Sequence, residues 1–292
     1  MKLAVLIQCH KCPEQINRLL DVMKSDEVDF YIHVDRKSDI ADEIEKRADV
    51  HILPPERRVD VMWGGFSQVE ATLNLLDEAL ITGGYDYYFL ISGQDFPVRP
   101  IRELIEFLEN DNGANYVDLF PSLNNGLCKQ NNLDKRNQIV YGDRIMGRGK
   151  FARIMRRLWV AVTGGYGRTF GIFRRKNVLN LKFYFGSQWW CLSKDFVEYA
   201  TEHLAKTPQY AEFFRKASCP DESFFQTLLM NSSYSDTRKE YLHFIRWEEG
   251  KSSPENLTLS DFDEAIASGK FMARKIDGDF ALIDKLTKCV TK

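Results

Sequence analysis

The order of the apolar segments predicts an α/β protein with a mostly parallel central sheet and helices on both faces. Three observations carry that prediction. Strand-like runs alternate with amphipathic stretches through the first 120 residues, the order that builds βαβ units. The first run, Leu3–Cys9, is almost continuously apolar rather than alternating, as in a strand covered on both faces. Polar side chains fall where such runs end: His10, Asp35 and Asp95. Ligands of open α/β sheets sit beyond those ends.

After the first strand, Pro13–Met23 reads as a helix with Ile16, Leu19, Leu20 and Met23 on one face. Phe30–Asp35 is a strand ending in a carboxylate. Ile40–Arg47 is a short helix and Val50–Leu53 a third strand. Ser67 opens a long helix, with Glu70 placed to complete a capping box. Tyr87–Ile91 is a strand that exits through Ser92-Gly93-Gln94-Asp95, punctuated by Pro97 and Pro100. Ile101–Leu108 is helical and Tyr116–Phe120 extended. Asn124–Asn132 is a polar loop. Phe183–Leu192 returns to strand, interrupted at Gly186–Trp190. Ser193 caps the helix Lys194–Leu204, and Asp221–Met230 is another helix. Tyr241–Trp247 is a strand, and Ser260 with Asp263 caps a short helix.

With 292 residues, 44% hydrophobic and 28% charged, the chain can bury a large core, and one unit spanning 1–292 is expected. The net charge of −2 and the lack of a recognisable nucleic-acid module argue against nucleic acid as a partner. Charge is unevenly spread: residues 135–176 hold 12 Lys and Arg against one acid, Asp143. Within that stretch Phe151, Ile154, Met155, Leu158, Trp159 and Val162 recur at helical spacing, with Arg153, Arg156 and Arg157 between them. The plainer reading is a surface helix whose apolar stripe packs on the core. The sharper one is a face for an anionic membrane or an acidic acceptor. Gly164–Gly171 reads as a mobile loop. No run is long enough to span a bilayer, and Leu3–Ile7 is too short for a secretory signal. Cys9 and Cys12 form a lone C-x-x-C, where zinc would need a second pair. Reduced thiols and a cytoplasmic protein, with contact to the inner membrane face through 135–176, are the expectation.

Several residues could carry chemistry, each with a bland alternative. Asp35 could accept from a ribose hydroxyl or a uracil N–H, or merely cap the next segment. Gly93 could let the backbone approach a ligand, or serve a plain turn. Asp221 and Glu222 open a helix, where acids answer the dipole; either could also take a proton from a hydroxyl. Arg246, Arg274 and Lys275 could neutralise a leaving diphosphate, or be solvated charges. Asp-x-Asp occurs at Asp261/Asp263 and Asp277/Asp279, neither after a mid-chain strand where a metal-bridging pair belongs. The phosphate-binding loop, dinucleotide fingerprint and nucleophile elbow are missing.

Taken together, His33–Ser38, Trp63–Ser67, Ile91–Pro97, Gly186–Trp190, Cys219–Phe225 and Phe271–Asp277 resemble, in order, the motifs of the core-2/I-branching β-1,6-N-acetylglucosaminyltransferase family, shared in part with peptide O-xylosyltransferases. The resemblance implies a GT-A-type fold and inverting transfer from a UDP-sugar to a hydroxyl of a glycan or lipid-linked oligosaccharide acceptor, with no metal or other cofactor. It implies a nucleotide-binding half over 1–120, a basic, partly loop-like insertion over 121–182, and an acceptor and diphosphate-binding half over 183–292. It makes Glu222 the catalytic base. Lys275 would bind the diphosphate with Arg246 as its arginine partner and Arg274 as the substitute, and Asp35 would hold the uridine. Asp95, Gln188, Trp189, Trp190 and Asp221 would form the donor and acceptor pocket. The rivals are a metal-dependent enzyme using Asp95 or Asp277/Asp279, and a nucleotide-sugar or glycan-binding protein without turnover.

Overall fold

The computed structural model describes residues 1–111, 113–120, 136–137, 151, 153–155, 157–158, 176–247 and 253–291. Strands β1 (Leu3–Cys9), β2 (Val28–Val34), β3 (Val50–Ile52) and β4 (Tyr87–Ser92) pair in parallel, in the order β3-β2-β1-β4. A short strand, β5 (Asp95–Pro97), leaves this sheet. The main sheet continues through β7 (Trp190–Ser193), antiparallel to β4 and to β6 (Asn115–Val117), and ends at β8 (Arg238–Lys239), parallel to β6. β5 joins β9 (His243–Ile245) and β10 (Met272–Arg274) in a second, three-stranded sheet. This is the expected α/β architecture, with a mostly parallel central sheet.

β1 explains why its sequence does not alternate. Leu3, Val5 and Ile7 enter one core, packed under α1 (Pro13–Val22), α3 (Ile101–Asn110) and the C-terminal helix Phe280–Val290. Ala4 and Leu6 enter the other, under α2 (Ser67–Thr82) and the helices Lys194–Lys206, Pro208–Phe214 and Phe224–Met230. Each large side chain so buried contributes about 1.5–3 kcal/mol.

Local signals fared unevenly. Ser193 caps the following helix, accepting the Phe196 N–H at 3.4 Å. Ser67 does not cap: Phe66 is the N-cap, and Ser67 Oγ instead accepts the Met62 N–H at 2.7 Å, tying down the loop before the helix. The capping box near residue 260 is Thr258 with Asp261, not Ser260 with Asp263. Asp221 lies in a separate 3-10 turn, Pro220–Glu222, ahead of the helix Phe224–Met230. Gly93 serves packing: a Cβ there would meet Cys9 Cβ at 2.7 Å and Ile16 at 3.2 Å. Cys9, Cys12, Cys191, Cys219 and Cys289 are free thiols, and burial pushes Cys9 up to about 12, which makes it inert. No helix among the described residues is long and apolar enough to cross a membrane.

Of the basic amphipathic stretch, Phe151, Ile154, Met155 and Leu158 are exposed, at 77, 55, 42 and 55%. The expected packing of that stripe on the core is therefore not met at these four side chains. Trp159, Val162, Arg156, the glycine-rich Gly164–Gly171 and the loop Asn124–Asn132 lie outside the described residues.

Candidate active site

A cavity of about 550 Å³ opens beyond the carboxyl ends of β1, β2 and β4, within the range that suits a small-molecule ligand. β1 brings Gln8 to its wall, and His10 and Asp35 reach it from just beyond the ends of β1 and β2. The Asp35 carboxylate accepts the Lys37 N–H at 3.0 Å, with Lys37 Nζ 3.6 Å away. His33, just before it, accepts the Val59 N–H on Nε2 at 2.8 Å. Burial pushes His33 down to about 4, so the ring is neutral and fixed as an acceptor.

The opposite side carries the acids. Cys219 adopts the left-handed conformation, φ 49° and ψ 55°. Its N–H is held by the Gly64 carbonyl at 2.9 Å. That bend aims the turn Pro220–Glu222 at the cavity. A second tie comes from Gly186, whose N–H donates to the Glu222 carbonyl at 2.8 Å. A side chain at 186 would collide with the Asp118 carbonyl, 1.9 Å from an added Cβ; only glycine lets these two segments meet. Glu222 forms an ion pair with Arg136. Asp221 is buried; its Oδ2 accepts from Gln68 Nε2 at 3.1 Å, and its Oδ1 has no partner. Burial, then the neighbouring Glu222, push the Asp221 carboxyl well above its ordinary range. Two adjacent acids thus sit in unlike surroundings, one paired with a cation and one resisting ionisation.

The cations come from β10. Its antiparallel register sets Arg274 opposite Asp95, and Arg274 Nη1 reaches Asp95 Oδ1 at 2.6 Å. The guanidinium lies over the Trp189 ring, 4.2 Å from its centroid, a cation–π contact. Arg274 and Lys275 both line the cavity.

Three sequence-based assignments change. Asp95 does not line the cavity: it is fully buried, and Oδ2 accepts the Ser92 N–H at 2.7 Å. Its role is to hold Arg274 from behind. Trp190 is a core residue, 1% exposed and 4.9 Å from the Phe225 ring. Arg246 is not on the cavity wall, because Glu255, Asp261 and Glu264 take up its guanidinium. Asp277, named in the metal-dependent rival, pairs with Lys11 at 2.7 Å, and Asp279 caps the last helix. Asp35, Gln188, Trp189, Asp221, Glu222, Arg274 and Lys275 share the one cavity. Sequence reasoning missed Arg136, Gln68 and Gln8. Arg136 is one of many cations in its stretch, and the glutamines belong to a helix start and a strand end that reveal no partner.

Fold and cavity together define an α/β protein with a cavity lined by charged side chains at the strand ends. The family model described as Core-2/I-Branching enzyme matches residues 3–267, and the chain belongs to that family. Among curated relatives, rat xylosyltransferase 2 is 26% identical over 95% of this chain and 32% of its own length. The xylosyltransferase oxt of Drosophila pseudoobscura pseudoobscura is 25% identical over 90% of this chain and 30% of its own. The chain thus spans about a third of the length of these relatives. Among solved structures, S. aureus TarS 1-349 is similar at a TM-score of 0.39 and 11% identity, over 98% of this chain and 64% of that one.

Proposed function

We propose that this member of the Core-2/I-branching family is an inverting glycosyltransferase that moves a sugar from a UDP-sugar to a hydroxyl of a glycan acceptor. The supporting observation is that one cavity brings Glu222 together with the cation pair Arg274 and Lys275. Inversion needs one in-line attack. The acceptor oxygen bonds to the anomeric carbon while Glu222 removes its proton. The carbon–oxygen bond to UDP breaks, and the electron pair leaves on the diphosphate. Arg274 and Lys275 compensate that charge as it develops. Arg136 pairs with the Glu222 carboxylate and holds it in place until the acceptor hydroxyl arrives. Asp35 takes the uridine end, and no metal is required.

The family favours GlcNAc as the transferred sugar; the relatives' name brings xylose forward, and glucose is the third candidate. Trp63, Phe120, Tyr241 and Trp247 line the cavity, and aromatic faces suit the apolar face of an acceptor sugar ring. The acceptor is a surface glycan or a lipid-linked oligosaccharide, made on the cytoplasmic side. The exposed apolar stripe within the basic segment 135–176 is proposed to touch an anionic membrane. The test is calorimetric titration of UDP in excess EDTA with wild type, Lys275→Ala and Arg246→Ala. Binding that weakens in Lys275→Ala but not in Arg246→Ala supports the assignment. Binding only after manganese is restored moves the protein to the metal-dependent class. UDP-sugar binding without hydrolysis or transfer would leave only a binding protein.

A further inference from the structure

Three glutamines meet at the cavity wall, and their hydrogen bonds can run in only one sense. The Gly64 N–H can only donate, so Gln68 meets it with Oε1. Gln68 Nε2 therefore points the other way, donating to Gln188 Oε1 and to Asp221 Oδ2, each at 3.1 Å. Gln8 Nε2 donates to the Gln68 carbonyl at 3.1 Å and to Thr72 Oγ1 at 2.7 Å. Both its hydrogens are used, and Gln8 turns Oε1 to Gln188 Nε2 at 2.9 Å. Gln188 is thus held from two sides, by a neighbour that needs an acceptor and one that needs a donor. A flip of its amide would oppose oxygen to oxygen and nitrogen to nitrogen at both contacts. One hydrogen of Gln188 Nε2 has no partner among the described residues, and Gln188 lines the cavity.

We propose that Gln68 is a positioning residue, which fixes Gln188 as a hydrogen-bond donor to an oxygen of the transferred sugar and ties that subsite to Asp221 beside the base. The inference rests on the reading of the cavity as a UDP-sugar site. Gln68 reaches the cavity wall, but its oxygen and both its amide hydrogens are committed within the protein. It acts through Gln188 and Asp221. The Asp221 oxygen that Gln68 does not hold is buried without a partner, so loss of Gln68 would leave that carboxyl with no hydrogen bond from a side chain among the described residues.

The consequence is specific: Gln68 matters to the sugar and not to UDP. UDP, UDP-xylose, UDP-GlcNAc and UDP-glucose are titrated by calorimetry into wild type, Gln68→Met and Gln8→Met, with folding checked by circular dichroism. The expected result is a UDP-sugar bound about three- to tenfold more weakly by Gln68→Met, the loss of one neutral hydrogen bond, with the affinity for UDP itself within about twofold of wild type by the same reasoning. Gln8→Met frees the other end of the Gln188 amide and should do the same, which keeps the test alive if Gln68→Met does not fold. Equal weakening of UDP and UDP-sugar, or no change in either, overturns the inference and leaves Gln68 a structural residue. If wild type binds neither UDP nor any UDP-sugar, the reading of the cavity fails and takes the inference with it.

Discussion

Asp95→Asn tests the support behind the proposed diphosphate site. Asp95 is fully buried, and its two oxygens have separate partners. Oδ1 receives Arg274 Nη1 at 2.6 Å, and Oδ2 receives the Ser92 N–H at 2.7 Å, with His243 Nε2 at 3.4 Å. Asparagine offers one acceptor and one NH2 in the same space. Whichever way it lies, a buried donor faces a donor, which costs about 1–3 kcal/mol. Losing the charge opposite Arg274 adds to this; breaking a buried pair outright costs about 3–5 kcal/mol. Arg274 is 13% exposed at the cavity and can turn partly to water, so a loss of about 2–4 kcal/mol is expected. Urea unfolding at a series of pH values measures it. Burial alone would raise the Asp95 pKa, but Arg274, His243 and the Ser92 N–H outweigh it and hold the carboxyl below its ordinary value. A depressed carboxyl contributes stability that is present above its unfolded pKa and lost as pH falls through the folded one. The gap between wild type and variant should therefore be level from about pH 7 to 5 and close only below about pH 4. UDP affinity should fall about tenfold as Arg274 leaves its place over Trp189, a loss on the scale of one charged hydrogen bond. A destabilisation under about 1 kcal/mol, the size of a surface substitution effect, or a gap already closing at pH 6, would refute the reasoning.

Other predictions are more local. Glu222→Gln should lower turnover of a UDP-sugar and acceptor by about 10²–10⁴-fold with UDP affinity nearly unchanged; near-normal turnover would remove Glu222 as the base. His33 is neutral in the fold, with its pKa pushed down to about 4 by burial. Its contribution is present above the unfolded histidine pKa and lost as pH falls from about 6.5 towards 4, by about 3 kcal/mol in all; urea unfolding of His33→Gln should lack that slope. Gly186→Ala should destabilise the fold by about 1–3 kcal/mol or more, as overpacking against backbone does, and should weaken activity further by displacing the Glu222 turn; a variant of wild-type stability and activity would contradict the close approach to Asp118.

Much of the fold was legible because it is written locally. Each strand of the parallel block is a short apolar run, and each following helix carries a periodic stripe. Those signals placed β1, β2, β4, α1 and α3 within a residue or two, and the first residue of α2. The ends of the apolar runs also marked the side of the sheet where the cavity lies, since parallel strands all point their carboxyl ends the same way. The second sheet was legible only in part. β9 lies within the stretch Tyr241–Trp247 read as a strand, but β5 and β10 are three residues each, too short for periodicity to show, and they pair with each other across almost 180 positions of sequence.

The sequence by itself determined the layer order, the parallel block and, through six ordered motifs, the family. Tertiary structure decided which members of the motifs face the cavity. Arg246 and Arg274 are both basic residues close to short strands, and only the register of β10 on β5 sets Arg274 over Trp189 while Arg246 falls among three carboxylates. Trp189 and Trp190 are neighbours, yet one lines the cavity and the other fills the core. Asp95 carries the same charge as Asp35, but one is sealed behind an arginine and the other stands on the wall. Periodicity follows from a residue's bonded neighbours and can be read along the chain. Facing, burial and hydrogen-bond direction follow from partners distant in the chain, 180 residues apart for Gln8 and Gln188, and only the folded chain brings them together.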